Sequence, residues 1–288
     1  DAAVSWGAGS KDIFVTSPAD KTLLVGRNLY VDNPNNGDAP STATGTNSIA
    51  IGPLGTSTGI NSVSIGSSAD ATGNQAYSFG VNSTASGLRS ISWGSSSYTN
   101  NTDAVAIGPS AQAQSVGGLA LGHDATVISG AQAVAIGDSR ADGADSLAAA
   151  IANNTSSYGA TGANSIAIGE LSKATGNEAV SIGSGAVSSN DNSIAMGNIN
   201  TSATASAAIA IGVGADATGA HTTAIGYLSQ ATSTRSQAFG RSAVSVGDRS
   251  TAMTESYASG LQSFAAAIAS NSSSYGATGD YGVAIGQK

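Results

Sequence analysis

The sequence predicts an all-β chain, a parallel β-solenoid or β-roll with coils of about fourteen residues, and three observations carry that expectation. The pattern Ser48-Ile49-Ala50-Ile51-Gly52 returns as Ser62 to Gly66, Ala104 to Gly108, Ser165 to Gly169, Ala208 to Gly212 and Gly282 to Gly286, and a fixed period of this kind marks a repeat architecture. Its glycine recurs at 52, 66, 80, 94, 108, 122, 137, 169, 183, 197, 212, 226, 240 and 286, mostly in steps of fourteen. Upstream of each glycine, large apolar residues alternate with small ones, and period two with β-branched residues is strand chemistry.

The elements follow in order. Residues 1–40 lie outside the clean repeat and hold Trp6, Lys11, Phe14, Lys21, Arg27, Tyr30 and the turn cluster Asn33-Pro34-Asn35-Asn36-Gly37. They read as an N-terminal cap closing the open end of a stacked sheet, with Leu23-Leu24-Val25-Gly26 as a degenerate first coil. Residues 41–288 read as one elongated body of repeats. Each coil has a second segment, Ala-Thr-Gly at Ala43 to Gly45, Ala71 to Gly73, Ala160 to Gly162, Ala174 to Gly176, Ala217 to Gly219 and Ala277 to Gly279. Its glycine is replaced by Asn101 or Asn190, which predicts a turn with positive φ there. Two strands and two turns per coil, stacked at about 4.8 Å, give a rod on the order of 80 Å long.

Two coils are longer. Gly143 to Gly169 and Gly260 to Gly286 match at an offset of 117, sharing an Ala-Ala-Ala-Ile-Ala and a Ser-Tyr-Gly-Ala-Thr-Gly segment, and each takes nineteen residues to its next glycine. The surplus, near 150–169 and 267–286, is expected to leave the solenoid as loops around Asn154 to Tyr158 and Ser272 to Tyr275.

Neither face of the main strand is charged, so it is expected to be buried on both sides. The large column is assigned to the coil core (Ile49, Ile51, Ile166, Ile168, Ile209, Ile211). The small column is assigned to contact between protomers (Ala50, Ser64, Ala106, Ala167, Ala195, Ala210), because a coil this thin has too little core to offset the entropy of ordering it.

Composition narrows the function. Ten basic against eighteen acidic residues give a net charge of −8, with no basic cluster, which argues against nucleic acid and anionic membrane surfaces as partners. Absence of cysteine removes thiol chemistry, disulfides and cysteine-ligated zinc. No run reaches the length of a membrane-spanning helix.

Asn47-Ser48-Ile49-Ala50-Ile51-Gly52, Asn164 to Gly169 and Asn192 to Gly197 resemble the Asn-Ser-Val-Ala-Ile-Gly repeat of YadA-like heads in trimeric autotransporter adhesins. The resemblance covers nearly everything after residue 40. It implies a left-handed roll, a homotrimer, and display at the cell surface outside the outer membrane of a Gram-negative bacterium. Attachment to host matrix proteins, cells or abiotic surfaces is implied with it. Because the chain ends at Gln287-Lys288 without heptads, it is expected to be an excised head.

Rival chemistry is weaker. His123 and His221 lie about seven coils apart, roughly 34 Å, too far for one site. His221 falls in a polar turn column with Asn47, Asn61, Arg89, Glu178 and Arg235. Asp138, Asp142 and Asp145 cluster without the repeated nonapeptide of a calcium-binding roll. A threonine column (Thr44, Thr58, Thr72, Thr161, Thr175, Thr204, Thr218, Thr232) raises ice binding, but Asn100, Gln114, Asp142 and Val246 break it. No repeated pair of acidic residues supports a glycan depolymerase; a phage fibre or passive spacer would use the same solenoid. The expectation is a non-enzymatic adhesin head with no cofactor and no metal. Its ligand-facing candidates are Tyr98, Tyr158, Tyr227 and Tyr275, since binding surfaces are enriched in tyrosine.

Overall fold

The computed structural model describes residues 29–31, 41–149, 158–266 and 275–286. Over these the chain winds as a parallel β-solenoid in which a three-residue strand, a turn, a two-residue strand and a second turn repeat, with no helix. Eighteen three-residue strands form one sheet, beginning at Leu29–Val31 and ending at Val283–Ile285. Opposite it, the two-residue strands stack as a sheet of seven, from Thr42–Ala43 to Thr126–Val127, and a sheet of eight, from Gly159–Ala160 to Tyr257–Ala258. Register follows the sequence columns, Ile49 beside Val63, Ala50 beside Ser64 and Ile51 beside Ile65. Coils are joined by backbone hydrogen bonds such as Ile49 N–H to the Ser62 carbonyl, 3.0 Å, and Gly66 N–H to the Ile51 carbonyl, 2.8 Å.

The regular turn is four residues closed by a hydrogen bond from its fourth N–H to its first carbonyl, as in Gly55 to Gly52 at 3.2 Å and Ser48 to Gly45 at 3.3 Å. In both, the third residue is left-handed, Leu54 at φ 61° and Asn47 at φ 58°. That φ suits a type II turn, which also favours proline second, as at Pro53. The expected positive φ at the Ala-Thr-Gly glycines is therefore corrected. Gly45, Gly59 and Gly73 are not left-handed; the left-handed residue stands two positions later, in the polar column of Asn47, Asn61, Arg89, Glu178, His221 and Arg235. What demands glycine is the neighbouring coil: a Cβ on Gly59 would sit 1.9 Å from the Gly73 carbonyl oxygen. The other glycine column faces both constraints, with Gly66 at φ 136° and its Cβ direction 2.5 Å from the Gly80 oxygen.

The two faces of the main strand are also the reverse of the expectation. Ala50, Ser64, Ala106, Ala167, Ala195 and Ala210 are fully buried within a single chain, so they cannot meet a neighbouring protomer. Ile49, Ile51, Ile166, Ile168, Ile209 and Ile211 point outward and are half-buried. The reason is the width of the coil. The small column faces an equally small column on the two-residue strand (Ala43, Ala71, Ala160, Ala174), and the sheets approach until serine hydroxyls meet across them, Ser57 to Ser62 and Ser78 to Ser83 at 2.7 Å. No isoleucine fits such a gap, so side-chain alternation sends the large column of the main strand outside; the largest fully buried side chain among the described residues is Val127 on a short strand. Serines that close turns are satisfied there: Ser48 and Ser62 donate to the Gly45 and Gly59 carbonyls at 2.8 and 2.7 Å, whereas the strand serine Ser64 is buried without a partner. With methyls worth about 0.8 kcal/mol each, the coil is held chiefly by its continuous backbone ladder.

Of residues 1–40 only Leu29–Val31 is described; it pairs in parallel with Ile49–Ile51 and adds a strand below the first clean repeat. The expected coil at Leu23 to Gly26 and the cap residues lie outside the described residues, Tyr30 excepted. The nineteen-residue steps keep register on both sides, Ala148 beside Ala167 and Ala265 beside Ala284. Their surplus falls within 150–157 and 267–274, outside the described residues, as does most of the expected loops. The offset of 117 reaches further back than the matched segments. Gly137 and Thr254 each open a turn one residue short, closed by Ser139 N–H to Gly137 and Ser256 N–H to Thr254. The following bridges, Ala141 beside Ala160 and Ala258 beside Ala277, correspond as well.

Candidate adhesive surface

The solenoid presents the outward face of the long sheet, the outward face of the short sheets and two turn edges. The first is apolar. Ile65, Trp93, Ile107, Ile136, Met196, Ile225 and Met253 are exposed in a row of stacked strands. Near one end aromatic residues replace isoleucine: the Tyr77 and Phe79 rings stack with centroids 6.4 Å apart, Phe79 and Trp93 lie 5.6 Å apart, and Trp93 is 60% exposed. Monomeric proteins rarely leave so extended an apolar face in water.

The short-sheet face is polar, and Thr44, Thr58 and Thr72 stand exposed along it. The neighbouring column begins Thr42, Thr56 but continues Asp70, Thr84, Tyr98 and Gln112, so no second threonine column accompanies them. Along the turn edge, equivalent residues of successive coils pair at a spacing of fourteen. Asn47 donates to Asn61 at 3.0 Å, Asn192 to Glu178 at 2.6 Å, and Arg89 grips Asp103 through two bonds of 2.6 and 2.7 Å. That grip, the hydrogen bond foremost, holds the Asp103 carboxyl below its ordinary value and raises Arg89.

The tyrosines do not converge. Tyr98 is half-buried on the strand Tyr98–Thr99, and Tyr227 is exposed in a turn. Tyr158 packs against the alanine core, while its equivalent Tyr275 is exposed. Among the described residues the two histidines and the acidic cluster do not come together either. His123 lies 3.2 Å from its neighbour Asp124, and His221 is an exposed left-handed turn residue. Asp142 is held by Arg140 at 2.5 Å and by the Ile128 N–H at 3.1 Å. Among the described residues no three His, Asp or Glu side chains could hold a metal ion.

One feature was not anticipated from the sequence: a depression of about 580 Å³ at the edge of the eight-stranded sheet, with Asp216 in its lining. Gly185 and Gly214, at φ 70° and 68°, occupy the left-handed turn column that carries Leu171 and Leu228 in other coils. Between them the step from Gly197 to Gly212 is fifteen residues. The extra residue pushes out Asn198 to Asn200, leaving Ile199 62% exposed. Burial raises the Asp216 carboxyl above its ordinary value. The signal was present in the sequence, as an irregular step flanked by two glycines out of their usual column.

A roll of fourteen-residue parallel coils, small inside and apolar on one outer face, defines a repeat β-solenoid. The family model of the YadA head domain repeat, in two copies, matches residues 40–54, 57–76, 71–97, 100–126, 160–186, 174–198, 203–229 and 217–243. The chain belongs to the YadA head domain family. No curated protein matches it.

Proposed function

We propose that this chain is the head of a trimeric, non-enzymatic bacterial surface adhesin, in which three copies pack through the outward face of the long sheet and present the remaining surfaces to a target. The observation that carries this reading is the extended apolar face of the long sheet, broken only in one column by Thr223, Gln237 and Thr251, on a chain whose strands already pair within the chain. Such a face needs a cover of its own repeat and length, which a second and third copy supply; homo-oligomers with closed symmetry are the usual solution. Family membership supports the number three, display outside the outer membrane and attachment to host matrix, cells or abiotic surfaces. The interface is then Ile51, Ile65, Ile107, Ile168 and their column mates, in place of the alanines and serines expected there from the sequence. Tyr227 and Tyr275, exposed away from that sheet's strands, remain ligand-facing candidates with Tyr98 and Tyr158.

Sedimentation under native conditions, beside a binding screen against matrix proteins, glycans and bare surfaces, tests the reading. A mass three times the 27.7 kDa of one chain, with saturable attachment, is expected. A monomer ends the packing proposal; a trimer that attaches to nothing favours a passive spacer, and hydrolysis of a glycan favours a depolymerase.

A further inference from the structure

The depression beside Gly185 and Gly214 is built by sequence irregularity at a place where the solenoid is otherwise uniform. Asp216 stands between Ser202 and Gln230 on the short sheet. Several carboxylates are tied to the protein: Asp103 to Arg89, Asp142 to Arg140, Glu255 to Arg241, Asp191 to the Asn177 N–H and Asp280 to the Leu261 N–H, whereas Asp70 is half-buried like Asp216 but has no such hollow beside it. The Asp216 carboxylate has no hydrogen-bond or ion-pair partner among the described residues, although the residue is half-buried. Val187, Ile199 and Leu228 also line the depression. A carboxylate drawn out of water without a cation is costly unless something supplies one. Asn200, Thr201, Ser202 and Gln230 line it too, so the open hollow sets three apolar side chains beside polar groups and one carboxylate, the mixture of apolar contact and a few polar groups that ligand sites use.

We propose that this depression is a cation-binding subsite that takes the basic side chain of a partner protein, its ammonium or guanidinium on Asp216 and its methylene stem along Val187, Ile199 and Leu228. The proposal rests on the adhesive reading for its biological partner, but the site is defined by its own chemistry. Lysine and arginine side chains suit it because each joins an apolar stem to a charged head. Ser202 and Gln230 flank the carboxylate and offer acceptors to the remaining protons of an ammonium group. Asp70 is the internal comparison: it occupies the same strand position, between Thr56 and Thr84, without the flanking glycines or the extra residue.

The test is saturation-transfer NMR on the intact chain in its native oligomer. The probes are N-acetyl-lysine amide and N-acetyl-arginine amide, set against N-acetyl-norleucine amide and Nα,Nε-diacetyl-lysine amide as uncharged controls. Saturable binding of the two cations is expected, at least tenfold weaker for the controls and for Asp216→Asn, and unchanged for Asp70→Asn. Gly185→Leu places in the hollow a side chain that Leu171 carries at the same turn position with φ 56°, and should abolish binding while leaving Asp216 in place. Equal binding of charged and uncharged probes, indifference to Asp216→Asn, or equal loss in Asp70→Asn overturns the proposal. Since none of these readouts uses attachment or native mass, a trimer that adheres yet ignores the probes refutes the subsite alone.

Discussion

The reversal of the strand's two faces makes Ala167 the most informative position to perturb. Ala167 is fully buried, stacked between Ala148 and Ser181, with Ala160 and Ala174 equally buried on the opposing strands. Leucine there adds three carbons to an interior where serine hydroxyls already touch across the coil in other turns. Overpacking costs about 1 to 3 kcal/mol where a core can shift. Here the wall is the backbone of the chain's own next strand, so the upper end applies, about 3 kcal/mol per chain. Ile168, the adjacent residue, points outward and is half-buried, so Ile168→Ser should leave the coil intact and weaken association between copies. The assay is guanidinium unfolding by circular dichroism at low protein concentration, with sedimentation run in parallel. Ala167→Leu should lower unfolding stability at every concentration, whereas the effect of Ile168→Ser should appear as a shift in oligomer mass and grow on dilution. If Ala167→Leu unfolds like the parent while Ile168→Ser loses its coil structure, the isoleucines line the coil and the alanines face outward, and the packing argument from coil width fails.

Three further outcomes are expected. Gly59→Ala should cost about 3 kcal/mol or more because its Cβ would lie 1.9 Å from a neighbouring carbonyl oxygen, whereas Thr58→Ala, at the exposed residue beside it, should change unfolding free energy by less than about 0.5 kcal/mol; equal effects would mean the coils are not packed this closely. Ser64 Oγ is buried without a partner, so Ser64→Ala should be neutral or stabilise by about 1 kcal/mol, while Ser62→Ala, which removes bonds to Gly59 and Ser57, should cost about 1 kcal/mol in the same titration. Because the folded Asp216 carboxyl lies above its ordinary value through burial, the folded state holds that proton more tightly than the unfolded chain. Stability from this group therefore falls as pH rises from the ordinary aspartate range through the raised folded value. Asp216→Asn should remove that part of the pH dependence and be the more stable protein at neutral pH; a parent and variant with parallel stability–pH curves would contradict it.

The repeat by itself determined the fold class, the coil length and the column register, because a strand that must pair with its own copy fourteen residues later leaves few ways to place Ile49-Ala50-Ile51-Gly52. It also marked the long coils and the polar turn column that includes His221 and Arg235. Which side of the strand is inside was not legible: alternation of large and small residues is the same pattern whether the small ones line a narrow coil or a contact between chains. Only the separation of the two sheets decides it, and serine hydroxyls 2.7 Å apart across the coil leave room for alanine and none for isoleucine. The same holds for the glycines. Gly45 and Gly59 announced a constraint, but whether φ or a neighbour's carbonyl imposed it depended on how closely the next coil lies. The Asp216 hollow likewise needed three dimensions, since Gly185, Ile199, Gly214 and Leu228 are far apart along the chain and meet only because successive coils stack one strand spacing apart.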